Sequence, residues 1–269
     1  MNTSKAFWKY FLVTFVLILV LFPFIWMLIT SIKPEGEALL ISLPKRITLD
    51  NYRKVLFSYK FYRYFLNSFI IASSSAFIST AIATLAAYGF AKKDFPLKNI
   101  LFWFFISSMM VPGLLYVIPQ FLIVYGLGWI NRYEGMIIPH LANVFGMFLI
   151  TQFLKDVPDS LLESARIDGA PEYKVIIKIV IPLVLPVVAT VFLLNFQFHW
   201  ANFLWQLLIA QTESMYTVPV GLAMFKSAHE EAYALKMAAS TISLLPIIVL
   251  FFLAQRYFIE GITQGALKE

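Results

Sequence analysis

The chain is 269 residues long, 60% hydrophobic and 13% charged, with a formal net charge of +6. It contains no cysteine, which removes disulfides, thiolate chemistry and cysteine metal sites. Its basic residues are spread around the ends of apolar runs, a pattern that fits membrane topology better than a nucleic-acid surface.

Uncharged runs cover 10–32, 64–91, 99–131, 135–154, 179–212 and 237–255. About 20 apolar helical residues cross a hydrocarbon core of roughly 30 Å, so six spans are expected, near 10–32, 66–91, 100–125, 135–154, 183–208 and 237–257. Lipid leaves no partner for open backbone groups and barrel alternation is absent, so the expected fold class is all-α and polytopic, a single transmembrane domain over 1–269. The first run follows Lys5 and Lys9 like a secretory signal. It continues past Pro23 and Trp26 to Ile32 without a small-residue cleavage site, and reads as a retained helix.

The loop at 33–63 carries Lys33, Lys45, Arg46, Arg53, Lys54, Lys60 and Arg63. Within it, Leu49, Tyr52, Val55, Leu56 and Tyr59 recur at helical spacing and predict a surface helix over 48–63, packed on the spans or lying at the membrane surface. In the second span, Ser73, Ser74, Ser75, Ser79, Thr80 and Thr84 are expected to be small packing positions. Pro112 and Pro119 should divide the third run, and Pro182 with Pro186 should break the start of the fifth. With the amino terminus inside, 11 Lys and Arg lie on the inner side and 10 outside, so charge counting does not orient the chain.

A charged stretch over 155–182 separates the fourth and fifth spans. Asp159 is expected to cap a helix carrying Leu161, Leu162 and Ala165, Gly169 to end it, and Pro171 to open a second short helix. Ala165 and Gly169 leave a shallow surface edged by Glu163 and Asp168. The physics alone allows either a structural loop or a docking loop.

Asn195, His199, Asn202 and Gln206 fall at i, i+4, i+7 and i+11, predicting one polar face on the fifth helix. Such a face either bonds neighbouring helices or lines a route for hydroxyl-rich solute, where Trp200 or Trp205 can stack on a sugar ring. His140 and Asn143 form a second polar pair, assigned to structure. His229-Glu230-Glu231-Ala232-Tyr233 begins like a zinc-protease signature, but Tyr233 replaces its second histidine. The chain has no phosphate-binding loop, and the six spans contain no Asp, Glu, Lys or Arg before Arg256. A proton-driven carrier normally keeps such a group, so energy should come from another subunit.

Glu163-Ser164-Ala165, Gly169 and Ile179-Val180-Ile181-Pro182 resemble the EAA loop (E-A-A-x3-G-x9-I-x-L-P) of permease subunits in binding-protein-dependent ABC importers, with Ser164 and Ile181 as mild departures. Asn51-Tyr52, Tyr64-Phe65-Leu66-Asn67-Ser68, Ala86-Ala87-Tyr88-Gly89-Phe90-Ala91 and the tail from Arg256 to Lys268 extend the resemblance to the carbohydrate-uptake branch. The resemblance implies a type I importer permease with six transmembrane helices and a cytosolic coupling loop. It implies coupling roles for Glu163, Ser164, Ala165, Asp168, Gly169, Ala170 and Pro182, while the polar stripe with its tryptophan supplies the candidate solute route, Asn195, His199, Trp200, Asn202 and Gln206. The implied partners are a second permease, a dimer of ATPase subunits and an extracytoplasmic solute-binding protein. ATP and Mg would sit on the ATPase, with no cofactor on this chain. Both termini would be cytosolic in a bacterial or archaeal cell membrane. The tail's Gly261 and Gly265 predict a turn-rich strip along the ATPase interface.

Overall fold

A computed structural model describes the backbone of residues 3–228 and 232–266, with side chains from 7 to 225, 232 to 253 and at 255. His229-Glu230-Glu231 and the side chains of the carboxyl tail lie outside the described residues. Among the described residues the regular structure is helical, without strands: α1 (Thr3–Ser31), α2 (Asp50–Arg53), α3 (Phe61–Lys92), α4 (Lys98–Ser108), α5 (Val117–Gly126), α6 (Tyr133–Ile137), α7 (Val144–Lys155), α8 (Asp159–Ile167), α9 (Glu172–Val175), α10 (Ile181–Leu183), α11 (Leu185–Ala201), α12 (Leu204–Ile209), α13 (Val218–Ala228) and α14 (Tyr233–Ala266).

Three stretches are single apolar helices long enough to cross a bilayer: Phe7–Ser31, Phe61–Lys92 and Tyr233–Leu253. Three more are bent pairs, so the six expected spans stand as three helices plus three pairs if each pair counts as one span. In the third run the chain turns by 92° between Lys98–Ser108 and Gly113–Gly126. The break falls at Pro112, as expected, whereas Pro119 sits in the first turn of α5, where its missing N–H costs nothing. In the fourth the bend is 43° between Tyr133–His140 and Val144–Lys155. Pro139 and Asn143 were the signals for it: Asn143 caps α7 by accepting from the Gly146 amide at 2.5 Å. In the fifth the chain bends by 85° at Val184, and α11 stops at Ala201, well before the expected 208.

The chain divides into two compact units, residues 1–65 with 218–245, and residues 66–217 with 246–269. In the first, the expected surface helix over 48–63 is shorter: α2 runs into a π-helical turn at Lys54–Ser58, Lys60 takes a positive φ of 54°, and α3 begins at Phe61. Asn51 Nδ2 donates to the carbonyls of Ser31 at 2.9 Å and Lys33 at 2.8 Å, while Tyr52 Oη shares a 2.6 Å hydrogen bond with Ser31 Oγ. The first of those bonds satisfies the Ser31 carbonyl, which the end of α1 leaves open, and the other two hold the residues around it. Glu35 does the same for the amide end of α14, accepting from Ala234 at 3.2 Å. Tyr64 is 7% exposed and lies against Gly221, where a Cβ would fall 2.1 Å from its ring.

In the second unit, Ala83, Ala87, Ile150, Leu154, Leu162, Val175, Val180 and Val187 share one apolar core, so the charged loop packs on the same core as the apolar helices. Ser75, Ser79, Thr80 and Thr84 are buried on α3, as expected of small packing positions, while Ser73 and Ser74 are half-buried. Asn67 Nδ2 donates to the carbonyls of Ser214 and Tyr216, each at 2.9 Å, and its Oδ1 accepts from Tyr133 Oη at 2.7 Å. The tail, expected to be turn-rich, continues instead as α14 through Gly261 and Gly265 to Ala266.

Gly221→Ala should destabilise the purified protein by about 1–3 kcal/mol, because the added methyl meets a ring that cannot move without opening the first unit's core. A thermal-melting comparison of the variant with the parent measures it, and an unchanged melting temperature would contradict the Tyr64 contact.

Candidate functional site

After α7 the chain leaves its apolar run through Asp156-Val157-Pro158, and α8 starts on the extended backbone of Pro158. Asp159 was expected to cap this helix. It makes no cap; its carboxylate instead meets Lys92 Nζ at 2.8 Å, which holds the Asp159 carboxyl below the usual carboxylate range. Lys92 also donates to the Val157 carbonyl at 2.5 Å, and its side chain is 3% exposed. An ammonium this enclosed cannot lose its partners cheaply, so the end of α3 and the start of α8 are fastened together.

Gly169 has φ +76° and closes α8 as a Schellman motif: its amide bonds Arg166 O at 3.0 Å, and the Ala170 amide bonds Ala165 O at 3.0 Å. The alanines at both ends of that second bond pack on the unit's core. The shallow surface predicted from Ala165 is therefore turned inward. The outward face carries Ser160, Glu163, Ser164 and Ile167 at helical spacing, followed by Asp168 and Gly169. Ile167 is 86% exposed and Tyr173, beyond the turn, is 61% exposed. Pro171 opens α9 as predicted, from the N-cap position. A π-helical turn at Ile176–Val180 and α10, which contains Pro182, lead to the bend at Val184.

Sequence reasoning missed the group that braces this turn. Glu172 Oε1 accepts from Lys93 Nζ at 2.6 Å, from Tyr88 Oη and from Arg166 Nη2 at 3.2 Å, and Arg166 Nη2 also donates to Tyr88 Oη at 3.1 Å. Lys93 and Tyr88 together hold the Glu172 carboxyl down to about 2. Lys92-Lys93, directly after the Ala86–Ala91 segment, was the available signal, but nothing in the local pattern names a partner 80 residues away.

The polar stripe is rearranged by the end of α11. Asn195, His199 and Trp200 lie on α11, Asn202 follows its last residue, and Gln206 lies on α12, so these residues do not form one helical face. Asn195 Oδ1 accepts from Asn143 Nδ2, and Asn195 Nδ2 donates to Thr80 Oγ1 at 3.3 Å, joining three helices. Asn202 Oδ1 accepts the Trp205 amide at 3.3 Å. Trp205 Nε1 donates to Gly135 O at 2.9 Å, and its ring lies 5.1 Å from His140, which lies 6.1 Å from His199. Asn195, His199, Trp200 and Gln206 are buried and Asn202 is half-buried. Gln197, absent from the predicted stripe, is an exposed amide on α11 beside Leu194, Ile247 and Phe251. A cavity of about 580 Å³ in the same unit is lined by Phe77, Thr84, Ile177, Ile181, Leu193 and Leu253 among other residues. Its walls are apolar apart from threonine hydroxyls and offer hydrocarbon a better fit than sugar.

These features define a class, a multi-pass helical membrane protein with a braced turn presented beyond its apolar helices. A family profile described as binding-protein-dependent transport system inner membrane component matches residues 79–264. The chain is similar to the arabinooligosaccharides transport system permease protein AraQ of Bacillus subtilis, 32% identical over 93% of this chain and 92% of that one. It is also similar to the trehalose/maltose transport system permease protein MalG of Thermococcus litoralis, 34% identical over 93% and 92%. In fold it matches a chain from a bacterial ABC transporter involved in import of the acidic polysaccharide alginate, with a TM-score of 0.85 and 22% identity, covering 96% of this chain and 99% of that one. The protein belongs to the family of inner membrane components of binding-protein-dependent transport systems, as a non-catalytic permease subunit.

The brace has a definite pH signature. A carboxyl held at about 2 when folded, against an ordinary 4.5, adds stability that is complete above 4.5 and is lost as pH falls through about 2. The melting-temperature gap between the protein and Glu172→Gln should therefore stay constant from about pH 8 to pH 5 and close as pH falls below about 4. A gap that closes already between pH 8 and 6 would assign the effect to another group.

Proposed function

We propose that this chain forms one half of the translocation pathway of an ATP-driven sugar importer and couples to a cytosolic ATPase through the turn at Glu163–Gly169. The observation that carries this reading is the outward face of α8. Beyond the apolar helices, Ile167 and Tyr173 stand exposed around a rigid glycine corner whose other side is braced to α3. Exposed apolar side chains at such a corner mark a protein-docking surface. Glu163, Ser164 and Asp168 edge it, Ala165 and Ala170 seat it on the core, and Pro182 lies in the short helix before the bend.

The partners in this reading are a second permease, a dimer of ATPase subunits that holds ATP and Mg, and an extracytoplasmic solute-binding protein; this chain holds no cofactor. In this reading the coupling corner lies in the cytosol, both termini lie there with it, and residues 1–269 work as a single permease domain. The transport systems of the relatives and their organisms support arabino-oligosaccharide, trehalose or maltose-like cargo and a bacterial or archaeal cell membrane. Closure of the ATPase dimer would displace the corner, and the Lys92 and Glu172 contacts would carry that displacement into α3.

For the solute route, burial separates roles among the predicted residues. A side chain buried within one subunit remains buried when a second is added. Asn195, His199, Trp200 and Gln206 therefore hold the wall of the route in the arrangement seen here, and the half-buried Asn202 is the position among them that solute can reach.

Gly169→Val should abolish uptake while membrane insertion survives, because a β-branched residue is strained at φ +76° although no neighbour in this chain obstructs it. Gly169→Asn, which tolerates the left-handed region, should retain part of the activity. Full solute-stimulated ATP hydrolysis and uptake in Gly169→Val would overturn the coupling role. Asn195→Leu should lower the melting temperature, with a cost of about 1–3 kcal/mol for the amide and hydroxyl left unpaired. Asn202→Leu should instead reduce transport while the complex still assembles and hydrolyses ATP basally, with a smaller fall in melting temperature from the lost 3.3 Å bond to the Trp205 amide. An Asn202→Leu transporter with wild-type uptake would remove that residue from the route.

A further inference from the structure

The first unit contains a groove of about 430 Å³ that the transport reading does not use. Phe22, Trp26 and Thr30 form one wall at four-residue spacing, so the groove follows the last turns of α1 for about 12 Å. Ala38, Leu39 and Ile41 from the following loop and Tyr233 with Met237 from α14 close the other sides. Trp26 and Tyr233 mark the depth, since these two residue types collect where hydrocarbon gives way to headgroups. Thr30 is 2% exposed, and its hydroxyl has no hydrogen-bond partner among the described residues.

Above the groove the loop changes character. Leu39 is 70% exposed, Ile41 92% and Leu43 75%, on irregular backbone with no helical face to dock against a neighbour. Two residues later stand Lys45 and Arg46, both exposed and without an ion pair among the described residues. The Lys45 amide bonds Glu37 Oε2 at 3.1 Å, which brings the backbone of this basic pair to the residue before Ala38 of the groove, where two cations stand against one carboxylate. Bare aliphatics below, cations at the edge and aromatics at the boundary complement an amphiphile whose charge is negative.

We propose that this groove binds an anionic glycerophospholipid from the leaflet at the Ser31 end of α1. The acyl chain lies along Phe22 and Trp26, an ester carbonyl accepts from Thr30 Oγ1, and the phosphate sits at Lys45 and Arg46. The bound lipid ties the irregular loop to α1 and α14, whose ends the loop already caps through Asn51 and Glu35.

The test uses the complete transporter in nanodiscs of phosphatidylcholine, alone or mixed with phosphatidylglycerol. Phosphatidylglycerol should raise the melting temperature of the parent, by preferential binding to the folded state, and should be retained by the complex in native mass spectrometry. Lys45→Glu with Arg46→Glu should lose both the shift and the retained lipid. Thr30→Phe, which fills the groove and leaves the charges, should lose them as well. If Thr30→Phe does not fold, Ile41→Glu replaces it, at a side chain that supports no core. A shift that persists in the charge-reversed and groove-filled variants overturns the proposal. So does a charge reversal that leaves the lipid shift intact and weakens docking of the solute-binding protein, because that outcome gives the surface to the protein partner.

Discussion

In hydrocarbon every backbone amide and carbonyl must be bonded within the protein, and a helix that breaks there creates several that are not. This chain breaks inside three of its six apolar runs, and around the fourth and fifth of them neutral polar side chains serve open backbone groups. Asn143 receives the Gly146 amide, Gln120 donates to Pro139 O at 3.0 Å, Trp205 donates to Gly135 O, and Asn202 receives the Trp205 amide. Asn131 Oδ1 accepts the amides of Gln211 and Thr212, each at 3.1 Å. The architecture therefore rests on amides serving backbone, and what remains for solute is what that service leaves free.

The same constraint gives the turn beyond the apolar helices its stiffness. Its helices are too short to be stable alone, the longest running for nine residues from Asp159 to Ile167. They persist because Leu162, Val175 and Val180 are driven into the core between α3 and α7, and because Lys92, Lys93 and Tyr88 hold the polar side of the turn. A surface ion pair contributes little, but Lys92 is enclosed, and an enclosed charge with fixed partners behaves as a fastening. Displacement of the corner must then move α3, or break bonds that leave an ammonium unpaired. The 85° bend at Val184 adds a second lever, since it joins the loop's last helix to α11.

The sequence carried the number of apolar runs, the glycine corner, the break at Pro112 and the small-residue packing of α3, because each depends on local composition or on a residue with a special backbone range. The bend at Asn143 was not read from the sequence, where 135–154 stood as one span, although Pro139 and the capping amide were there to signal it. The polar stripe failed for a different reason. Spacing at i, i+4, i+7 and i+11 describes a face only while the helix continues; α11 ends at Ala201, and Trp205 on the next helix packs on His140, a contact that no window around Asn202 contains. The Glu172 brace and the inward turn of Ala165 are likewise products of contacts across many residues of chain.

At the end of α1, Lys33 is fully enclosed, its ammonium 2.8 Å from Leu40 O and 4.8 Å above the Trp26 ring. A slide of α1 by one helical turn, about 5.4 Å toward the hydrocarbon, would strip the ammonium of its carbonyl and draw it into a medium where a charge costs about 2.5–3.5 kcal/mol. A slide the other way would drag an apolar turn into water. Lys33 thus acts as a depth stop, and α1 can tilt about this end while its insertion stays fixed.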